Sequence, residues 1–207
     1  MLQLGGGAIR LYIKTMKSFK KQMLMAFLAG VLALAALGAG LWFSQQGPRM
    51  GGDFSLIHEG AAWTFSDHAK PLNLLYVGYA KCPDVCPMAL SFSAQAIKQL
   101  DSKDADRVQL IFISVDAKND TAESVSTYAK QFNPSFVGLT GTQESIDQAI
   151  KLFGASYMVE QDPKSYLGYS IAHTDRIFIL NKKGIVVDSI PSPRSADEIV
   201  QKIKENL

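Results

Sequence analysis

The chain predicts an α/β domain held by one membrane-spanning helix, on three observations. Residues 23–43 form an unbroken apolar run, about the 20 residues a helix needs to cross ~30 Å of hydrocarbon. Residues 73–79 (NLLYVGY) and 108–115 (VQLIFISV) are short, apolar and rich in β-branched or aromatic side chains, which marks buried strands. Between and beyond them apolar residues recur at helical spacing, so strands and helices alternate.

With 207 residues and 47% hydrophobic content, the chain can bury one core and still supply a span, so one domain plus an anchor is expected. Its 21 basic and 19 acidic residues give a net charge of +2 and are spread along the chain apart from a basic start. That distribution speaks against a nucleic-acid partner.

Arg10, Lys14, Lys17, Lys20 and Lys21 precede the apolar run with no acid among them. By the positive-inside rule, residues 1–22 are a cytoplasmic tail, residues 23–43 the anchor, and everything beyond lies outside. A cleaved signal peptide, with small residues at Ala33, Ala35 and Gly38 to Gly40, and a mitochondrial presequence compete for the segment. Cleavage after Ala35 would leave an apolar LGAGLWF on the mature protein, which favours retention as an anchor. No cysteine lies near the span to carry a lipid. The expected address is a bacterial inner membrane with the domain in the periplasm or at the outer face, ranked above a mitochondrial inner membrane.

Residues 44–52 (SQQGPRMGG) read as a linker, and residues 53–207 as the folded domain. A hairpin is expected around 54–65, ahead of the first core strand. The helix after that strand should follow Pro87 and bury Leu90, Ala94 and Ile97. Asp120 with Glu123 resembles a capping pair opening a helix whose inner face is Val125, Tyr128, Ala129 and Phe132, stopped by Asn133-Pro134. Residues 136–140 form a short strand, and Thr142 caps a third helix carrying Ile146, Ala149, Ile150 and Phe153, with Gly154 at its end. Residues 155–171 are polar and tyrosine-rich, with Asp162-Pro163 as a turn, and read as an inserted hairpin. Residues 176–180 and 185–190 flank an Asn-Lys-Lys-Gly turn as a further hairpin. Ser195 with Glu198 suggests a capping box for the last helix. This order is that of a thioredoxin-like fold with an N-terminal hairpin extension and an inserted hairpin.

The two cysteines of the chain, Cys82 and Cys86, stand in the string GYAKCPDVCP, where the first core strand hands over to a helix. Ligands gather at the carboxyl ends of strands in α/β sheets. Four residues apart on a helical turn, the sulfurs would suit one metal ion or a disulfide, and the helix N-terminus and Lys81 favour thiolate. A purely structural disulfide would close only a small loop and constrain the unfolded chain little, and the Pro-flanked turn is expected to expose the pair. Redox chemistry and metal binding both remain open on the cysteines alone.

CPDVCP after an apolar strand, then SVD with Asp120-Thr121, then GLTG, then a histidine just before a strand, together resemble the Sco/SenC family of membrane-anchored copper proteins. The resemblance runs from Gly51-Gly52-Asp53-Phe54 to the last helix. It implies a thioredoxin-like fold and a role in assembling the dinuclear copper centre of cytochrome c oxidase. It also implies copper, as Cu(I) or Cu(II), bound by Cys82, Cys86 and His173, the last in the string SIAHTD. From position alone, His173 precedes a strand and can be carried by a loop over the cysteines. Two thiolates and an imidazole form a soft site suited to copper; zinc fits the same ligands but neither the compartment nor the resemblance. Ala80-Lys81 stands where the family often has Thr-His, and Ala117-Lys118-Asn119 where Pro and Arg are common; these departures leave the three ligands intact.

Other residues carry smaller expectations. Asp84 can hydrogen-bond near the metal or face a partner, though an acid opening a helix is ordinary. Asp116 and Asp120 sit at the rim as turn and cap residues, Met88 is expected in the core, and His58 and His68 are expected to be structural or exposed. The implied function is a metallochaperone, not a turnover enzyme, with a copper-receiving oxidase subunit and a thiol reductant as partners. The alternative is a thiol-disulfide oxidoreductase in which Cys82 attacks and Cys86 resolves, with no need of His173.

Overall fold

A computed structural model of the chain describes residues 6–44, 50–165 and 167–207. Residues 1–5 of the expected tail and 45–49 of the expected linker lie outside the described residues. The chain divides into two units. The first contains one helix, α1 (Gly6–Ser44), whose apolar stretch Lys21–Gly40 is long enough to cross a membrane.

The second unit is built on a five-stranded sheet. Its core strands are β3 (Leu72–Gly78) and β4 (Val108–Ser114), and every residue of both is buried, as expected of parallel strands covered on both faces. Before them, β1 (Ser55–His58) and β2 (Ala61–Thr64) form the predicted hairpin, turned by Glu59 and Gly60 with φ 49° and 82°. A one-turn helix α2 (Phe65–His68) follows. Phe54 sets this hairpin on the body by packing against Trp63, Phe65 and Phe153, with ring centroids 6.0, 5.6 and 5.7 Å away.

Helix α3 (Val85–Gln99) leads from β3, and a short α4 (Ser102–Ala105) precedes β4. Helix α3 starts two residues before Pro87, which sits in its first turn, where a missing N–H costs nothing. Leu90 and Ile97 are buried as expected, but Ala94 is only half-buried. Ser93 takes an inner place because its hydroxyl donates back to the Ala89 carbonyl at 2.8 Å.

Then come α5 (Ala122–Phe132), β5 (Val137–Leu139) and α6 (Gln143–Lys151). The cap of α5 lies one residue later than the sequence suggests. Thr121 and Ser124 close a reciprocal capping box, which releases Asp120 to turn inward. Thr142 caps α6 as expected, and Gly154 (φ 66°) follows its end.

The inserted hairpin is β6 (Tyr157–Gln161) with β7 (Tyr169–His173), a two-stranded sheet of its own. The chain returns through β8 (Arg176–Asn181) and β9 (Val186–Pro191) to α7 (Ala196–Asn206). Ser195 caps α7 by accepting the Asp197 N–H at 3.2 Å, one position short of the expected partner Glu198.

Sheet order is β5-β4-β3-β8-β9, with β8 antiparallel to β3 and β9 antiparallel to β8. Met50–Gly52, assigned to the linker from sequence, lies along the turn before β9: Gly51 donates to Leu152 at 2.7 Å and the Met50 carbonyl accepts Val186 N–H at 2.9 Å.

Candidate metal centre

The loop between β3 and α3 carries the first cysteine. Cys82 lies in this loop, not on a helical turn with its partner, and its N–H closes a turn onto the Tyr79 carbonyl at 3.1 Å. Cys86 lies in the first turn of α3, and its sulfur passes over the end of β3. Gly78 permits this, because a Cβ there would overlap the Cys86 sulfur and meet the Phe112 ring at 3.1 Å. A glycine inside an otherwise buried apolar strand marks such an approach.

His173 arrives from the other side. It ends β7, opposite Tyr157, and three residues later the chain enters β8, which pairs with β3 from Tyr76↔Ile177 to Leu72↔Asn181. The histidine is thereby delivered to the end of β3 where the cysteines begin. Its Nε2 lies 3.3 Å from the Cys86 sulfur and 4.0 Å from the Cys82 sulfur. The three donor atoms all lie within 4.8 Å of one another. Tyr76 and Tyr79 meet the imidazole edge-to-face, each with centroids 6.0 Å away, at 85° and 84°. The Thr174 carbonyl lies 3.4 Å from Nδ1, leaving Nε2 for the sulfurs.

The pair is not exposed, contrary to the reading of the Pro-flanked turn. Cys82 is 9% exposed and Cys86 is fully covered, because the turn folds inward under the two tyrosines and His173. Burial and hydrogen bonding together separate the two thiols chemically. The Cys82 thiol is pulled down to about 4, first by the Cys86 thiol bonding to its sulfur, then by His173 and by the backbone N–H groups of Asp84 and Cys86, against burial. Cys86 is pushed well above the ordinary thiol range by burial first, then by its bond and charge repulsion with Cys82. The first proton leaves this pair easily and the second is held.

Two sulfurs and an imidazole nitrogen at these separations fit a soft cation drawn in among them, and binding would release the proton held at Cys86. Of the residues weighed from sequence, Asp84 is exposed at the N-cap of α3 and makes no side-chain cap bond, and Met88 is half-buried on α3 and outside the core. His58 bonds the Gly138 carbonyl at 2.9 Å, and His68 stacks on Trp63 at 5.0 Å; both roles are structural. Asp120 is buried, accepting the Ala80 N–H at 2.8 Å and the Ser114 hydroxyl at 2.6 Å, so it fastens the cysteine loop to β4. Asp116 accepts the Tyr169 hydroxyl and, at both its carboxylate oxygens, the Asn119 amide, which also donates to the Tyr169 oxygen at 2.9 Å, linking the β4–α5 turn to the inserted hairpin.

Tyr76, Tyr79 and Asp175 are the neighbours of the site that sequence reading missed. The two tyrosines read as strand core, and Asp175 had only its place two residues after His173 to single it out. Tyr76 donates its hydroxyl to Asp175 Oδ1 at 2.8 Å.

The SCO1/SenC family model matches residues 44–207. The mitochondrial SCO2 homolog of Mus musculus is 32% identical over 75% of this chain and 62% of its own length. The mitochondrial SCO1 homolog of Homo sapiens is 33% identical over 77% of this chain and 54% of its own. The chain thus spans less than two thirds of these curated relatives. Among solved structures, Arabidopsis thaliana ScoI with copper bound superposes with a TM-score of 0.70 at 29% identity, covering 76% of this chain and 97% of that one. BsSco, described as a member of the Sco family of cytochrome c oxidase assembly proteins with a disulfide switch, shares the fold at 19% identity with a TM-score of 0.57, covering 76% and 93%.

Proposed function

Because the chain belongs to the SCO1/SenC family, we propose that it is a membrane-anchored copper-binding metallochaperone serving assembly of the dinuclear copper centre of cytochrome c oxidase. The observation that carries this reading is the meeting of Cys82, Cys86 and His173 donor atoms within 4.8 Å. Copper is cargo here, held by two sulfurs and one nitrogen and passed on by ligand exchange to a recipient subunit. Three protein donors leave room for an incoming ligand, so exchange need not strip the ion first. Both thiols must be reduced to bind, which implies an upstream thiol reductant.

The apolar stretch Lys21–Gly40 supports the anchor, with the basic tail cytoplasmic and the domain outside a bacterial inner membrane. Anchoring keeps donor and recipient in one plane and raises their effective concentration.

The split between the thiols supports a second reading, a thiol-disulfide oxidoreductase with Cys82 attacking and Cys86 resolving. The two separate experimentally. Detergent-solubilised, reduced protein is titrated with Cu(I) and Cu(II), alongside His173→Ala. One-to-one binding with a thiolate-to-copper charge-transfer band, lost or weakened in the variant, supports the chaperone. Weak binding indifferent to the variant, together with efficient reduction of insulin disulfides, overturns it.

A further inference from the structure

The turn that carries His173 is tied down from outside the site. Asp175 accepts the Tyr76 hydroxyl at Oδ1 (2.8 Å) and the Arg194 guanidinium at Oδ2 (3.0 Å), while its carbonyl oxygen accepts the Ser192 N–H at 2.8 Å. Ser192 and Arg194 belong to one short segment, Pro-Ser-Pro-Arg, running from the end of β9 toward α7. Ser192 holds φ 45°, a left-handed conformation that a residue with a side chain adopts at a cost. Pro191 and Pro193 on either side fix their own φ and stiffen the segment. Arg194 also donates to the Pro193 carbonyl at 2.9 Å, which folds its guanidinium back toward Asp175.

We propose that residues 191–194 form a strap, with Arg194 as its clasp, that positions His173 over the two cysteine sulfurs. Arg194 touches none of the donor atoms, so it is a positioning residue. It holds Asp175, and Asp175 holds Tyr76, whose ring edge meets the imidazole. The strap therefore acts on His173 twice, through the backbone of the turn and through the tyrosine against its ring. This inference rests on the copper reading for its consequence, though not for its geometry.

Charge and position predict opposite signs, which makes the proposal testable. Removing a cation near a metal site should by charge alone tighten cation binding, whereas loosening a residue that orients a ligand should weaken it, by roughly tenfold. Full-length protein in detergent is compared as wild type, Arg194→Ala and Arg194→Lys, each also in a His173→Ala background, by Cu(I) competition against a chromophoric chelator. The strap predicts about tenfold weaker binding in Arg194→Ala, partial recovery in Arg194→Lys, and no further loss once His173 is gone. Unchanged or tighter binding, or an equal loss in both backgrounds, overturns it. In metal-free protein, Arg194→Ala should also speed hydrogen exchange at Ser192 and at Thr174, whose N–H bonds the Ser156 carbonyl at 3.0 Å. If the wild type takes up no copper, the function proposed above falls and exchange alone judges the strap: unaltered protection at Thr174 overturns it.

Discussion

The Cys86 sulfur lies 3.3 Å from Nε2 of His173 across 87 positions of sequence. The contact follows from sheet order: β8 returns antiparallel beside β3, so the residue entering β8 and the residues leaving β3 share one end of the sheet. Cys82, Cys86 and His173 thus come from three separate elements, and their environments make them unequal.

That inequality sets reactivity. In reduced metal-free protein, an alkylating reagent should label Cys82 before Cys86, with a rate that rises through roughly pH 4 instead of near the ordinary thiol value of about 8.5. Peptide mass spectrometry of a short labelling time course reads both site and profile. Labelling of Cys86 first would contradict the assignment of the two thiols.

Stability should follow the same protons. Between about pH 4 and the unfolded thiol value, the unfolded chain keeps the Cys82 proton that the folded one has released, so the pair's contribution rises with pH. Above that value the folded chain keeps the Cys86 proton that the unfolded one releases, so stability falls again. The melting temperature of the reduced protein minus that of a Cys82→Ser, Cys86→Ser double variant should peak near pH 8 to 9, roughly the free thiol range. A flat difference would mean that the thiols are not coupled in this way.

Gly78→Ala places a methyl group into the Cys86 sulfur and against Phe112. Overpacking of this kind costs about 1–3 kcal/mol, and the easiest relief displaces Cys86. Urea unfolding should show the loss, and copper affinity should fall with it. A variant as stable and as avid for copper as wild type would show that the strand can shift to make room.

Asp120→Ala strands the Ala80 N–H and the Ser114 hydroxyl, which should cost about 1–3 kcal/mol in urea unfolding. Asp120→Asn keeps an acceptor and removes a carboxylate whose ionisation burial already opposes, so it should cost far less. Equal losses in the two variants would make the charge, not the hydrogen bonds, the important feature.

Much of this was legible beforehand. The two all-buried strands, Thr142 capping α6, the three hairpins and the helical faces at Val125, Ala129, Ile146 and Ile150 follow from local periodicity and turn chemistry. Asp120 misled because Asp and Thr are both good caps and stand side by side. Only the packed ends of β3 and β4, with Ala80 and Ser114 within reach, draw the carboxylate inward and leave the cap to Thr121. Burial of the cysteines misled similarly, since a Pro-flanked turn carries no mark of the tyrosines that will cover it.

Local sequence was enough to specify the elements and to nominate Cys82, Cys86 and His173, because side-chain periodicity, caps and motif spacing act over a few residues. The unequal state of the two thiols, the edge-to-face grip of Tyr76 and Tyr79 on His173, and the Arg194–Asp175 tie arise only when β3, β7, β8 and the segment after β9 converge. Desolvation and hydrogen bonding depend on neighbours in space, and here those neighbours lie up to 99 positions apart, as Tyr76 and Asp175 do.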